Sequence, residues 1–193
     1  MRSYGYKKKR GIKDRYVHPQ NVTEITGHFD GACYPPPSSE AACGAIIKRK
    51  GQVVAKLSKY LGNVNTSCNL AEYEGLILIL EWLIENKVEY ANIFGDSKLV
   101  VFQMMGQWKA RVNKPMPYIA SYQRACELRA KLPNVKYYWL PRYMNEDADY
   151  QSRVPLIDRA RPSEDAGFER AIEGVGRPNI RVIKKFKKQA GEI

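Results

Sequence analysis

The stretch that decides the fold is Ile25-Thr26-Gly27-His28-Phe29-Asp30-Gly31-Ala32-Cys33-Tyr34. Nonpolar residues at positions 25, 27 and 29 alternate with polar residues at positions 26, 28 and 30. This period of two is typical of a β-strand. Three consecutive prolines, Pro35–Pro37, follow and forbid its continuation because proline has no backbone N–H to donate. The pattern therefore predicts a strand that carries an aspartate, Asp30, close to its end.

Outward from this strand, the next segments predict a meander and a long helix. Residues 41–48 and 53–61 are strand candidates joined by a short turn, which indicates an antiparallel hairpin. Residues 70–86 place their apolar side chains on one face at helical spacing, with Asn69 as the predicted N-cap.

The second half alternates short strands with helices. We predict strands at residues 90–94 and 135–140 and helices at 98–105, 118–132 and 145–153. The complete order predicts an α/β fold: a mixed five-stranded sheet, three antiparallel strands and then two parallel ones, with helices on its faces.

The charge distribution divides the 193 residues into three parts. The chain has a net charge of +12, of which +5 lies in residues 1–24 and +4 in residues 153–193. We therefore predict a basic N-terminal arm at 1–24, one folded domain at 25–153, and a basic C-terminal extension at 154–193. Such ends suit a nucleic acid, since lysine and arginine displace counterions from phosphates; a basic tail that only aids solubility is the alternative.

Several classes of protein are excluded. No apolar run approaches the roughly 18 residues of a membrane helix, and no apolar stretch follows the basic N-terminus, so we expect an intracellular protein without membrane contact. The four cysteines form no CxxC pair, and only His18 and His28 are available beside them. A zinc site or a disulfide framework is not predicted.

Acidic residues recur where the predicted elements begin or end. The candidates are Asp30, Asp96, one of Glu72 and Glu74, and one of Asp147 and Asp149. Strand ends and the helices beside them line one crevice in an α/β fold, so four acids from four elements can converge there. Carboxylates without histidine suit hard divalent ions, and two such ions about 3.5 to 4 Å apart support phosphodiester cleavage. Taken singly, none of these acids indicates a ligand, since a lone aspartate here is more often a turn or capping residue and a lone glutamate a routine first-turn acid.

Four segments together resemble motifs of the type 1 ribonuclease H family, in the variant shared by archaeal-type enzymes and plant reverse-transcriptase-like domains. They occur in the family's order across residues 25–153: Gly27-His28-Phe29-Asp30-Gly31-Ala32, Thr66-Ser67-Cys68-Asn69-Leu70-Ala71-Glu72, Phe94-Gly95-Asp96-Ser97-Lys98-Leu99-Val100, and Trp139-Leu140-Pro141-Arg142 with Asn145-Glu146-Asp147-Ala148-Asp149. The resemblance covers about two thirds of the chain.

The resemblance implies an activity and a ligand set. The implied activity is hydrolysis of the RNA strand of RNA·DNA hybrids, with two Mg²⁺ or Mn²⁺ ions as cofactors. The implied catalytic residues and metal ligands are Asp30, Glu72, Asp96 and Asp149. Glu74 and Asp147 are then bystanders.

Further residues are candidates for contact with the substrate. Ser67 and Asn69 lie beside Glu72, and Arg142 stands in a loop where many bacterial members carry a histidine. A second loop carries one aromatic and three cationic side chains, the composition of a nucleic-acid contact: Trp108, Lys109, Arg111 and Lys114. A packed tryptophan with solvated cations is an equal alternative for that loop.

The chain also departs from the family's pattern. Gln151-Ser152 follows the last aspartate, where leucine and alanine are more usual. The main alternative function is a catalytically weak or inactive module that docks on a nucleic acid or a larger nucleoprotein assembly through its basic termini. A transposase-like relative acting on DNA is a third interpretation, which the closing motif disfavours.

Overall fold

The computed structural model describes residues 23–34, 40–63 and 68–160. Its elements, in chain order, are β1 (Ile25–Cys33), β2 (Glu40–Arg49), β3 (Gln52–Asn63), α1 (Cys68–Glu85), β4 (Asn92–Gly95), α2 (Lys98–Met104), α3 (Ile119–Ala130), β5 (Lys136–Trp139), a single 3₁₀ turn (Arg142–Met144) and α4 (Glu146–Ala160).

The five strands form one mixed sheet in the order β3-β2-β1-β4-β5. β1, β2 and β3 are antiparallel, whereas β4 pairs parallel to both β1 and β5. The tight β2–β3 turn has Lys50 at φ 49° and Gly51 at φ 82°, the left-handed conformations that a two-residue hairpin requires. The parallel strands are reached through helices, as such connections must be. The predicted fold class is confirmed.

Helix α1 packs across the sheet and carries the centre of the core. Leu76, Ile79, Leu80 and Leu83 of α1 are fully buried, as is Phe29 of β1. The N-terminal part of α1 comes unusually close to β1, because a Cβ atom at Gly31 would lie only 2.4 Å from the backbone nitrogen of Glu72. Glycine at this position therefore allows the start of α1 to meet the end of β1.

Two predicted helix boundaries are wrong. Helix α1 begins at Cys68, so Asn69 lies in its first turn and is not the N-cap. Helix α4 continues to Ala160, seven residues beyond its predicted end at 153, although Pro155 interrupts its hydrogen bonding.

Tertiary contacts hold the last turns of α4 in place despite the proline. Leu156 is buried against the domain, and the guanidinium of Arg159 stacks 4.1 Å from the ring centroid of Tyr60 on β3. The described part of the domain therefore extends through residue 160.

Several predictions fall outside the described residues. These concern Ser67, the proline run at 35–37, residues 1–22 of the basic arm and residues 161–193 of the extension. Among the helices that are described, none is long and apolar enough to span a bilayer.

Candidate metal centre

Three carboxylates from three elements meet at one edge of the sheet. β1 and β4 are parallel neighbours, with Phe29 opposite Gly95, so Asp30 and Asp96 follow at adjacent positions. Glu72 joins them from the second turn of α1. One carboxylate oxygen of each of these three acids lies within 4.8 Å of the others.

Burial and mutual repulsion dominate the electrostatics of this three-acid cluster. Burial, and then the charges of Asp30 and Asp96, raise the pKa of Glu72 well above its ordinary value. Burial likewise raises the pKa of Asp30 to about 6, against a smaller lowering by a hydrogen bond from Ser152. The cluster therefore brings acidic groups together where water solvates their charged forms poorly, so that a cation is needed to stabilise those forms.

One oxygen atom of the cluster has no partner among the residues that the structure describes. Glu72 Oε2 is buried and accepts no hydrogen bond from any of them. A buried carboxylate oxygen without a partner is costly, and a cation removes that cost. Oxygen donors in a group of this size are the ligands that Mg²⁺ and Mn²⁺ prefer. The residues present therefore fit a divalent metal ion.

The fourth predicted ligand has other partners. Asp149, in the first turn of α4, is not among the acids within 4.8 Å of one another. Its Oδ1 accepts a hydrogen bond from Arg142 Nη2 at 2.8 Å, and its Oδ2 is ion-paired with Arg153 one turn further along α4. Two guanidinium groups thus balance its charge, and its role as a metal ligand stays a prediction.

The two acids that the resemblance treats as bystanders lie outside the cluster. Glu74 is not in the cluster: it pairs with Lys59 at 2.7 Å and accepts a hydrogen bond from Ser121 at 2.7 Å. Asp147 is exposed and pairs with Lys48 at 2.8 Å, a contact that lowers its pKa. Both acids have structural partners away from the cluster.

Three hydrogen-bond donors that sequence reasoning gave no role support the cluster. Ser152 Oγ lies 2.8 Å from Asp30 Oδ2. Asn145 Nδ2 donates to the Phe29 carbonyl at 2.8 Å and lies 3.4 Å from Asp96 Oδ1, while Trp139 Nε1 donates to the Asp96 carbonyl at 3.0 Å. Asn145 and Trp139 belong to the fourth motif, but Ser152 was visible only as a departure from the family's pattern.

The predicted substrate contacts lie in different surroundings. Arg142 is beside Asp149 with a side chain that is 78% exposed, and Asn69 is half-buried, one turn before Glu72. Trp108 is partly exposed and packs edge-on against Phe102, with ring centroids 5.0 Å apart, while the neighbouring Lys109, Arg111 and Lys114 are exposed. Contact of these residues with a nucleic acid stays a prediction.

The domain has a ribonuclease H-like fold, as shown by its strand order and by the acids at the ends of β1 and β4. Residues 28–153 match a family model described as reverse transcriptase-like. The chain belongs to the type 1 ribonuclease H family.

Individual relatives agree with this assignment. The chain is similar to ribonuclease HI of Halobacterium salinarum, with 30% identity over 142 residues that cover 74% of this chain and 69% of the relative. It is 35% identical over 111 residues to a bifunctional protein of Mycobacterium tuberculosis, covering 56% of this chain but only 29% of that protein. The chain thus spans less than a third of the mycobacterial relative.

Solved structures have the same architecture. The crystal structure of RNase H1 from Halobacterium salinarum superposes with a TM-score of 0.60 at 29% identity, over 69% of this chain and 98% of the other. LC11-RNase H1 in complex with an RNA/DNA hybrid superposes with a TM-score of 0.61 at 25% identity, over 71% of this chain and 99% of that one.

Proposed function

We propose that this chain is a divalent-metal-dependent endoribonuclease that hydrolyses the RNA strand of RNA·DNA hybrids. The observation that carries the proposal is the cluster of Asp30, Glu72 and Asp96, with its unpartnered buried oxygen on Glu72. The relatives named as ribonuclease HI and RNase H1, one of them solved with an RNA/DNA hybrid, support it.

The cluster would hold one divalent ion, and Asp149 would contribute to a second. Such ions, when bound, stabilise charge on the attacking and leaving oxygens of a phosphodiester. The protein would position the ligands and exclude bulk water from the site. Asn145 holds the end of β1 through the Phe29 carbonyl, and Trp139 holds the turn at Asp96.

Arg142 would bind a phosphate of the substrate. Its side chain is largely exposed, and a guanidinium pairs with phosphate oxygens through two parallel hydrogen bonds. A phosphate that competes for Arg142 releases one of the two cations that now hold Asp149. Hybrid binding and recruitment of Asp149 to a metal ion would then be coupled.

The proposed substrate class depends on the features by which a protein can recognise an RNA·DNA hybrid. 2′-hydroxyl groups and groove shape distinguish an RNA strand from DNA without regard to base sequence. Asn69 would make such a contact, and its position one turn before Glu72 on α1 supports this role. The excess of basic residues at the two ends would add a sequence-independent attraction to phosphates.

A second candidate is a binding module on the same scaffold that docks on a nucleoprotein assembly through its basic termini. The double ion pair of Asp149 favours it, since an acid held by two arginines is less available to a metal ion. The cluster of three other acids argues against it, because a structural role gives no reason to bury a carboxylate oxygen without a partner.

A binding and cleavage experiment separates the two candidates. Wild-type protein is bound to a labelled RNA·DNA hybrid in EDTA, and Mg²⁺ or Mn²⁺ is then added. Release of fragments with 3′-hydroxyl and 5′-phosphate ends supports the nuclease. Salt-sensitive binding without cleavage in either metal supports the module.

A further inference from the structure

Ser152 joins Asp30 to α4 through a single hydroxyl group. It is fully buried, and its Oγ lies 2.8 Å from Asp30 Oδ2 and 2.8 Å from the backbone carbonyl oxygen of Asp149. A hydroxyl has one proton and so donates to one of these acceptors at a time. The Asp149 carbonyl already has a side-chain donor in Arg153 Nε at 3.2 Å. The charged carboxylate is the stronger acceptor, so Ser152 Oγ donates its hydrogen bond to Asp30.

The position of Ser152 is fixed by the backbone around it. A Cβ atom at Gly44 of β2 would lie 2.3 Å from the backbone nitrogen of Ser152, which shows how closely α4 approaches the sheet here. The hydroxyl therefore has little freedom to follow a carboxylate that moves. It acts as a fixed point to which Asp30 is attached.

We propose that Ser152 is a positioning residue that fixes the carboxylate of Asp30 for metal binding. By holding Oδ2, the hydroxyl restricts rotation of the carboxylate and sets the plane in which its oxygens face Glu72 and Asp96. The proposal rests on the proposed function, because it assumes that the cluster binds a divalent ion. It assigns a role to the position at which this chain departs from the alanine more usual in its family.

A purely structural role for Ser152 predicts a different result. Loss of any buried hydroxyl that donates to a carboxylate lowers stability, whether or not that carboxylate binds a metal ion. Ser121 provides the matched control: it is buried, and its Oγ donates to Glu74 Oε1 at 2.7 Å, a carboxylate outside the cluster. Ser121→Ala removes the same kind of hydrogen bond without touching the cluster.

The test is titration of Mn²⁺ into the full chain by calorimetry, with melting temperatures measured in EDTA. We compare wild type, Ser152→Ala, Ser121→Ala and Ser152→Thr. We expect Ser152→Ala to raise the Kd for Mn²⁺ about 10-fold, since that factor corresponds to one net hydrogen bond. Ser121→Ala is expected to lower the melting temperature and leave the Kd within twofold of wild type. Ser152→Thr keeps the hydroxyl and is expected to restore the affinity.

The outcomes are distinct. A Kd for Ser152→Ala within twofold of wild type overturns the proposal, and so does an equal rise in Ser121→Ala. If Ser152→Thr does not fold because of its added methyl group, the two alanine variants still decide. Hybrid cleavage by wild type is measured in parallel: absence of cleavage with intact Mn²⁺ binding counts against the proposed function and leaves the positioning role standing.

Discussion

Gly31 and Glu72 touch so closely that a Cβ atom on the first would lie 2.4 Å from the backbone nitrogen of the second. This contact brings the N-terminal part of α1 against the end of β1, and with it the carboxylate of Glu72 to that of Asp30. The carboxylate cluster thus depends on the absence of a side chain at Gly31 as much as on the acids themselves.

Gly31→Ala is therefore expected to damage both the fold and the site. The added methyl group must displace α1 from β1, and overpacking of this kind typically costs about 1–3 kcal/mol. We expect a lower melting temperature and weaker Mn²⁺ binding. Gly51→Asn is the control, because asparagine tolerates the positive φ of the hairpin turn and nothing lies within 4 Å of a Cβ there. Equal Mn²⁺ binding by Gly31→Ala and wild type would contradict this account.

Removing a charge from the cluster is expected to stabilise the metal-free protein. The pKa of Asp30 is raised from 3.8 to about 6, so the folded state binds this proton more tightly than the unfolded chain does. The free energy of unfolding then falls as pH rises from about 4 to about 6. At pH 7.5 in EDTA, Asp30→Asn is expected to be more stable than wild type by about 3 kcal/mol, since each pKa unit corresponds to about 1.4 kcal/mol.

The expected difference in stability between wild type and Asp30→Asn reverses when metal is present. Mg²⁺ is expected to raise the melting temperature of wild type but not that of Asp30→Asn, because only the intact cluster binds the ion. A wild type that melts at the same temperature in Mg²⁺ and in EDTA, across pH 5 to 8, would argue that the cluster holds no metal.

Arg142→Ala is expected to act on substrate binding and not on stability. Its side chain is largely exposed, and exposed ion pairs contribute at most about 1 kcal/mol. We expect a KM for hybrid several-fold higher, with a melting temperature close to that of wild type. Arg124→Ala is the matched control, since Arg124 is also exposed and pairs with acids outside the cluster, Glu81 and Glu127. An unchanged KM for Arg142→Ala, or an equal rise for Arg124→Ala, would exclude the assigned contact.

The basic N-terminal arm is expected to add salt-sensitive affinity without forming the metal site. A deletion should stop at residue 22, because Glu24 is bonded to Lys50 through both its backbone and its side chain. The shortened chain is expected to bind hybrid more weakly, with a smaller slope of log K against log salt. Its Mn²⁺ affinity should match that of the full chain. An unchanged slope would mean that the arm has another partner.

The sequence predicted the fold well because its signals are local. The alternation in β1 and the helical spacing of apolar residues in α1 each restrict one element, and the order of the elements restricts the sheet. The end of α4 was missed because Pro155 signals a helix end, and the burial of Leu156 and the stacking of Arg159 on Tyr60 become visible only in three dimensions.

The sequence predicted which types of residue form the candidate site, but not which residues contact one another there. Motifs identified the acids, whereas the choice of Glu72 over Glu74 by spacing alone was impossible, since both lie in the first turns of one helix. The ion pair of Asp149 with Arg153 has i,i+4 spacing, a signal present in the sequence but one that competes with metal binding. The contact of Ser152 with Asp30 joins residues 122 positions apart and had no local signal.

Cleavage of a labelled RNA·DNA hybrid in Mg²⁺ by wild type and Asp96→Asn, purified in parallel, tests the central claim most directly. Wild type is predicted to cut the RNA strand, and Asp96→Asn to fold normally and show no activity above background. Equal cleavage by the two proteins, or none by wild type in either Mg²⁺ or Mn²⁺, would contradict the claim that these carboxylates form the active centre of a nuclease.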